Sequence, residues 1–201
     1  MNKHASLRPN GHRYMALDDF EEFVLNMPED EKWELIDGRV MKAVVGARIS
    51  HNIIAHNVSV ALQNHLRATS KPCRAYQESV YLKKRENDLA AFPDVMVRCG
   101  PINRDATSFD DPLILFEIVS PSSEERDRTL KRIAYQRLDS LQQFILVARD
   151  QPLVDVYLRS ETGWRGEPPL TSFDAVLKLP AIDFELPLAE IYRDALPPAG
   201  G

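Results

Sequence analysis

The fold of this chain is decided by the stretch PLILFEIVSPSSEERDRTLKRIAYQRLDSLQQFILVA, residues 112–148. Its two ends, residues 112–119 and 141–148, are apolar runs with the composition of buried strands. The polar segment between them carries apolar residues at helical spacing, and Ser123 is placed to act as its N-cap. A strand, a helix and a strand in that order favour a crossover connection and a partly parallel, buried sheet.

Hydrophobic periodicity predicts further helices and strands on both sides of this unit. Helical spacing is found twice before it, and two-residue alternation in three other segments. The predicted helices are residues 17–27, 49–67 and 123–138, and the other predicted strands are residues 74–82, 91–98 and 153–159.

Two tight turns connect predicted strands. Asp37 and Gly38 separate two strand-like runs in WELIDGRV, a dipeptide typical of a two-residue hairpin. A second hairpin is expected at residues 149–152. We therefore predict a mixed α/β fold in a single domain spanning residues 14–195, with residues 1–13 and 196–201 as flexible tails.

Composition indicates an ordinary globular protein in the cytoplasm. The 201 residues are 44% hydrophobic and 27% charged, with no apolar run near the ~18 residues that a membrane span needs. The N-terminal residues lack the apolar core of a signal peptide. Cys73 and Cys99 show no CxxC spacing, and we expect them to be reduced thiols.

The formal net charge of −5 argues against unspecific binding to nucleic acid, which depends on neutralising phosphates with Lys and Arg. Two local basic clusters, at residues 83–85 and 126–132, leave a nucleic-acid surface open. The other interpretation of both clusters is a solvated turn and a solvated helix face.

Glu117 is the unusual residue of the apolar strand, because an unpaired carboxylate is costly to bury. Asp94, in FPDVMVR, opens another predicted strand, and the two carboxylates converge if these strands are neighbours. Two carboxylates held close repel each other, so that one is protonated or a cation lies between them. Oxygen ligands of this kind suit Mg²⁺ or Mn²⁺. Taken singly, either residue is also explained as a strand cap or a salt-bridge partner.

The helix after Glu117 places Asp127, Lys131 and Tyr135 in one row with a spacing of four residues. Lys131 could reach back over the end of the strand toward the carboxylates. From spacing alone, the simpler interpretation is an exposed ion pair between Asp127 and Lys131.

The stretches AFPDVMVRCGP, PLILFEIVSPSSEERDRTLKRIAYQRL and LQQFILVARDQPLVDVYLR together resemble the Uma-two family of the PD-(D/E)XK nuclease superfamily. The resemblance extends over about residues 16–193 and includes WELIDGRV and LPLAEIY. It implies a restriction-endonuclease-like fold, a mixed β-sheet flanked by helices. It also implies a Mg²⁺-dependent or Mn²⁺-dependent endodeoxyribonuclease acting on DNA, and by analogy a homodimer.

The resemblance also implies roles for individual residues. Asp94 and Glu117 would hold the metal together with the Ile118 carbonyl, while Val119 stands where the superfamily has its motif Lys. Lys131 would supply that missing function. The same resemblance adds Glu34 as a third acidic, metal-binding residue, and His51 and Gln77 as possible supporting residues.

Two other functions stay open. The first is a catalytically inactive module that binds nucleic acid or regulates a partner, since Val119 replaces the motif Lys. The second is a glycosidase that uses two carboxylates as acid and base, although nothing resembles a sugar cleft with stacked aromatics.

Replacing Glu117 by Gln separates two views of this residue. We predict that Glu117→Gln raises the melting temperature of the metal-free protein, because desolvation and the repulsion of Asp94 destabilise this carboxylate. If Glu117 is paired with Lys or Arg, the same change should lower it.

Overall fold

The computed structural model describes residues 6–7, 13–43, 48–77, 80–120 and 127–197, with only the backbone at residues 6, 7, 13, 127 and 128. The α-helices in these ranges are α1 (Leu17–Leu25), α2 (Ile49–Ala68), α3 (Arg132–Tyr135) and α4 (Leu188–Ile191), with a π-helical turn at Asp127–Lys131 and 3₁₀ turns at Arg85–Asn87 and Pro180–Ile182. The strands are β1 (Ser6–Leu7), β2 (Arg13–Tyr14), β3 (Trp33–Ile36), β4 (Arg39–Lys42), β5 (Cys73–Gln77), β6 (Tyr81–Lys84), β7 (Leu89–Ala91), β8 (Val95–Cys99), β9 (Ser108–Phe109), β10 (Pro112–Val119), β11 (Gln143–Ala148), β12 (Val154–Ser160), β13 (Gly163–Gly166), β14 (Val176–Leu179) and β15 (Phe184–Pro187).

A six-stranded sheet in the order β13-β12-β11-β10-β8-β5 carries most of the core. Its β10 and β11 are parallel, and its other neighbours are antiparallel. The crossover predicted from residues 112–148 is therefore confirmed, as is the mixed α/β fold. A five-stranded sheet, β4-β3-β7-β6-β9, packs nearby, and β1-β2 and β14-β15 form two small hairpins.

The two faces of the six-stranded sheet are covered differently. One face packs against the apolar side of α2, including Val58 and Leu62. The other face packs against α3 and the five-stranded sheet through residues such as Leu115 and Val119. Because side chains alternate along a strand, Glu117 lies on the same face as these two and points between the two sheets.

The predicted hairpin at Asp37 and Gly38 is confirmed, and it connects β3 to β4. Both residues have positive φ, 51° and 73°, as the favoured two-residue hairpin turn requires. The Tyr14 ring lies against Gly38 so closely that an added Cβ would come within 2.1 Å of it. Only glycine fits at this position, which fixes the register of the strand that carries Glu34.

Three of the predicted elements differ in the structure. The predicted strand 91–98 is interrupted, since Ala91 ends β7 in the five-stranded sheet and β8 of the six-stranded sheet begins at Val95. Residues 74–82 are not one strand: β5 belongs to the six-stranded sheet and β6 to the five-stranded sheet. Both strands have the same period of two residues, so periodicity does not detect the change of sheet. The described part of the predicted helix 123–138 is the π-helical turn followed by α3, which ends at Tyr135. The N-cap predicted at Ser123 lies outside the described residues.

The two cysteines form a disulfide, so the prediction of two reduced thiols is wrong. Cys73 and Cys99 are directly opposite each other in the antiparallel pairing of β5 with β8, with Cα atoms 3.9 Å apart. The two cysteines are 26 residues apart in sequence, so spacing alone does not indicate that they are close in space. The reduced thiols were one reason to expect a cytoplasmic location, and that reason no longer holds.

Near its C-terminal end the described chain is still in contact with the core. The backbone N–H of Leu196 donates to the carbonyl of Tyr192 at 3.3 Å, and its side chain packs against the α2 layer. The domain limits at residues 14 and 195 stay a prediction. No helix within the described ranges is long and apolar enough to span a membrane.

Candidate functional site

Glu117 is buried between the two sheets, with 3% of its surface exposed. Lys131 Nζ donates to both of its carboxylate oxygens at 3.1 Å. The Tyr135 hydroxyl donates to Oε1 at 2.8 Å. A carboxylate is tolerated in this apolar strand because buried donors replace the water that it lost.

Lys131 and Tyr135 reach Glu117 together because they are four residues apart along one helical segment. Lys131 is the last residue of the π-helical turn, and Tyr135 is the last residue of α3. Lys131 is only 5% exposed, so the interpretation as a solvated helix-face residue is wrong. π-Helical turns are frequent at functional sites. The side chain of Asp127, the third member of the predicted row, lies outside the described residues.

Glu34 comes to the same place from the five-stranded sheet. On β3 it is 3% exposed, and its Oε1 lies 3.2 Å from Lys131 Nζ. The backbone N–H of Phe92 donates to the same oxygen at 3.0 Å. One ammonium ion thus joins two buried carboxylates that belong to different sheets.

Two phenols beside these carboxylates keep their protons at neutral pH. Burial, with the charge of Glu117, raises the pKa of Tyr135 well above its ordinary value. Burial, with the charge of Glu34, raises the pKa of Tyr81 to about 12. Tyr135 can therefore only donate, and not accept, in its hydrogen bond with the carboxylate.

Asp94 lies immediately before β8, which is the antiparallel neighbour of β10. The neighbouring strands that the sequence analysis required are therefore confirmed. The backbone N–H of Ile118 donates to Asp94 Oδ2 at 2.6 Å. This hydrogen bond holds the Asp94 carboxylate against β10, at the residue that follows Glu117. His51 Nε2 on α2 lies 3.1 Å from the other oxygen, Oδ1. That Asp94 and Glu117 hold one ion together stays a prediction.

Two other positions named from the sequence lie close to these strands. Val119 is 2% exposed and packs in the apolar cluster between the sheets, so this position is part of the core. Gln77 ends β5 opposite Val95, one residue from Asp94, and is exposed. The structure thus brings together Glu34, Glu117, Lys131 and Tyr135 in one network, and pairs His51 with Asp94.

Sequence reasoning missed Phe92 and Tyr81. Phe92 acts through its backbone N–H, which no side-chain pattern reveals. The rings of the two residues pack together, with centroids 3.7 Å apart, beside Glu34. The signal that could have found them is position: Phe92 comes two residues before Asp94, on the connection from β7 to β8.

The basic cluster at residues 83–85 is paired with acidic residues. Lys83 Nζ lies 2.7 Å from Glu21, and Arg85 pairs with Asp18, both acids being on α1. This supports the interpretation of the cluster as a solvated turn. In the cluster at residues 126–132, Lys131 is buried, as described above.

The donor chemistry of the site suits a hard divalent cation. Glu34 and Glu117 offer carboxylate oxygens on either side of Lys131, and Asp94 offers its own beside the backbone of Ile118. In the described ranges, no three His, Cys, Asp or Glu side chains are grouped as a ready-made metal cage. Mg²⁺ does not require one, because it is commonly held by one or two carboxylates, water and substrate phosphates.

Comparison with other proteins supports the same fold. A crystal structure of a "putative nuclease belonging to DUF820" from Anabaena variabilis superposes with a TM-score of 0.72 at 21% identity, covering 90% of this chain and 99% of that chain. The "Uncharacterized protein slr1290" of Synechocystis sp. is 30% identical over 134 residues, which are 66% of this chain and 69% of that protein.

A family model with the description "Uma2: Putative restriction endonuclease" matches residues 17–189. That range includes β3 with Glu34, Asp94 immediately before β8, β10 with Glu117, and the helical segment with Lys131. The chain belongs to the Uma2 family of restriction-endonuclease-like proteins.

Proposed function

We propose that this protein is a Mg²⁺-dependent or Mn²⁺-dependent endodeoxyribonuclease, which hydrolyses phosphodiester bonds in DNA. One observation carries the proposal: two buried carboxylates from separate sheets, Glu34 and Glu117, meet on the ammonium ion of Lys131. A third carboxylate, Asp94, is held against the backbone of the strand that carries Glu117. Acidic residues converge in this way where a cation and an anionic substrate are to be bound together.

Asp94 and Glu117 would hold the metal with the Ile118 carbonyl, and Glu34 would complete the acidic site. Their oxygens are the donors that Mg²⁺ and Mn²⁺ prefer. When bound, such an ion lowers the pKa of water and offsets negative charge on the phosphate.

The remaining residues position the water, stabilise charge on the phosphate and orient the carboxylates. Lys131 would position the attacking water and stabilise the charge that develops on the phosphate. Tyr135, through its hydrogen bond to Oε1, holds Glu117 in one orientation. His51 does the same for Asp94 through Oδ1. Gln77 and Asp127 are further supporting candidates.

Cleavage of supercoiled plasmid and single-stranded DNA with Mg²⁺, Mn²⁺ or EDTA tests the proposal. We expect cleavage with either metal and none with EDTA, and no cleavage by Asp94→Asn or Glu117→Gln. Lys131→Ala should lose ~10²–10⁴-fold in rate, the usual contribution of a group that acts on a proton or a charge. Glu185→Gln, an exposed carboxylate on β15, is the matched control and should cleave like the wild type.

Binding without cleavage under all metal conditions would instead identify a catalytically inactive DNA-binding module. The burial of Val119 at the motif Lys position is the observation that favours this second function.

Duplex cleavage by folds of this kind often uses a two-fold dimer to reach both strands, and by that analogy we propose a homodimer. Light scattering of the protein with and without a short duplex measures the mass directly. A monomer under both conditions would contradict the dimer without affecting single-strand cleavage.

A further inference from the structure

Lys131 occupies the position that a cation needs in order to bind Glu117. Its Nζ lies 3.1 Å from both oxygens of that carboxylate, so it covers the edge through which a carboxylate binds a metal. The same nitrogen lies 3.2 Å from Oε1 of Glu34. All three residues are at least 95% buried, so water does little to screen the charges.

A divalent cation and this ammonium ion exclude each other at the carboxylate edge. Mg²⁺ binds oxygen at about 2.0–2.1 Å, closer than an ammonium ion comes, and would therefore lie in the same gap. Two positive charges within a few ångströms repel strongly in a buried site. Either the lysine or the metal can be bound to Glu117 through both oxygens, but not both at once.

We propose that Lys131 is an internal counter-ion which the metal displaces, and that its released ammonium group then binds the phosphate of the substrate. This inference rests on the proposed metal-dependent function. In the metal-free protein Lys131 holds Glu34 and Glu117 together and stabilises the junction of the two sheets. Metal binding converts the same residue from a structural ion-pair partner into a group that faces the substrate.

The surrounding contacts suit such an exchange. Tyr135, one turn further along the chain, stays bound to Oε1 of Glu117 and keeps the carboxylate in place when the lysine leaves. Phe92 does the same for Glu34 through its backbone N–H. The lysine itself has a flexible four-carbon stem, so that its ammonium group can move while its backbone does not.

Binding of Mn²⁺, followed by electron paramagnetic resonance, tests the competition without any measurement of activity. Lys131→Met removes the charge at similar length, and we expect it to bind Mn²⁺ at least about tenfold more tightly, because a competing like charge is gone. Lys178→Met removes an exposed lysine from β14 and should bind like the wild type. Equal or weaker binding by Lys131→Met would overturn the proposal.

A second measurement uses the wild-type protein, in case Lys131→Met does not fold. Reductive methylation followed by peptide mass spectrometry reports how accessible each lysine is. We expect Mg²⁺ to increase methylation of Lys131 severalfold and to leave Lys178 unchanged. Unchanged or reduced methylation of Lys131 at a Mg²⁺ concentration that saturates the site would contradict displacement.

The two proposals fail in different ways. If neither the wild type nor Lys131→Met binds Mn²⁺ more tightly than Glu117→Gln does, there is no metal site at Glu117, and the proposed function fails as well. If the wild type binds Mn²⁺ through Glu117 while Lys131 stays inaccessible, the metal site stands and only the competition is wrong.

Discussion

The Tyr135 hydroxyl donates a 2.8 Å hydrogen bond to Oε1 of Glu117 from a fully buried position. Because the pKa of this phenol is raised well above its ordinary value, the direction of the bond is fixed at neutral pH. The carboxylate is therefore oriented by a neutral donor on one oxygen and by the ammonium group of Lys131 on both. Tyr135 is a positioning residue in this arrangement.

Removing the hydroxyl should destabilise the protein. Tyr135→Phe leaves a buried carboxylate with one donor fewer, and we expect the free energy of unfolding in urea to fall by about 1–3 kcal/mol. Tyr157→Phe is the matched control, because its ring also packs against Phe144. A loss of equal size in both variants would show that removing any hydroxyl beside Phe144, and not the bond to Glu117, accounts for the effect.

The disulfide between Cys73 and Cys99 predicts a redox-dependent stability. It closes a loop over a sequence separation of 26 residues, and closure of such a loop typically contributes about 2–4 kcal/mol by restricting the unfolded chain. Dithiothreitol should therefore lower the urea midpoint of the wild type.

The variant in which both cysteines are Ala provides the control. It should have the lower midpoint from the start and should not respond to dithiothreitol. Two titratable thiols in the unreduced wild-type protein would show that the disulfide is not formed in solution.

The sequence was sufficient for the centre of the fold, but of the second sheet it predicted only the hairpin of β3 and β4. Residues 112–148 predict the parallel pair β10 and β11, because long apolar strands leave a clear periodic signal. The strands of the five-stranded sheet have only two to four residues, as in β7 (Leu89–Ala91) and β9 (Ser108–Phe109). Runs this short contain too few alternations for periodicity to be detected.

The sequence predicts the part of the site that depends on the strands, and not the part that depends on how the two sheets pack. Face parity predicts that Asp94 and Glu117 converge if the strands 91–98 and 112–119 are neighbours, and in the structure β8, directly after Asp94, is the neighbour of β10. Spacing alone could not decide whether Lys131 is exposed, since that depends on which sheet packs over the helix. Glu34 was named only through family resemblance, because its approach to Lys131 depends on how the two sheets pack.

Alkaline pH should reveal the phenol beside Glu34. The folded protein holds the Tyr81 proton more tightly than the unfolded chain, with a pKa of about 12 against an ordinary value of about 10. Its contribution to stability is therefore complete below about pH 10 and is lost as the pH rises through about 12. Tyr81→Phe should lack this loss.

Urea unfolding of both proteins between about pH 9 and pH 12 measures the difference, since lysines titrate alike in both. If the free energy of unfolding falls with pH equally in the wild type and in Tyr81→Phe, the pKa of Tyr81 is not raised.

The Glu117→Gln variant decides what this carboxylate does for stability in the metal-free protein. The structure pairs Glu117 with Lys131 and Tyr135, so the paired alternative applies and we expect its melting temperature in EDTA to fall. Breaking a buried ion pair typically costs about 3–5 kcal/mol, and we expect a loss at or below the lower end of this range because Lys131 keeps Glu34 as a partner.

Thermal melts of wild type and Glu117→Gln, in EDTA and in millimolar Mn²⁺, provide the measurement. Mn²⁺ should raise the melting temperature of the wild type by mass action and leave that of Glu117→Gln nearly unchanged. Glu185→Gln, which removes an exposed carboxylate, should respond to Mn²⁺ as the wild type does. A rise in the melting temperature of Glu117→Gln in EDTA would mean that repulsion from Glu34 and Asp94 outweighs the pairing with Lys131, and that the lysine holds the two sheets together only weakly.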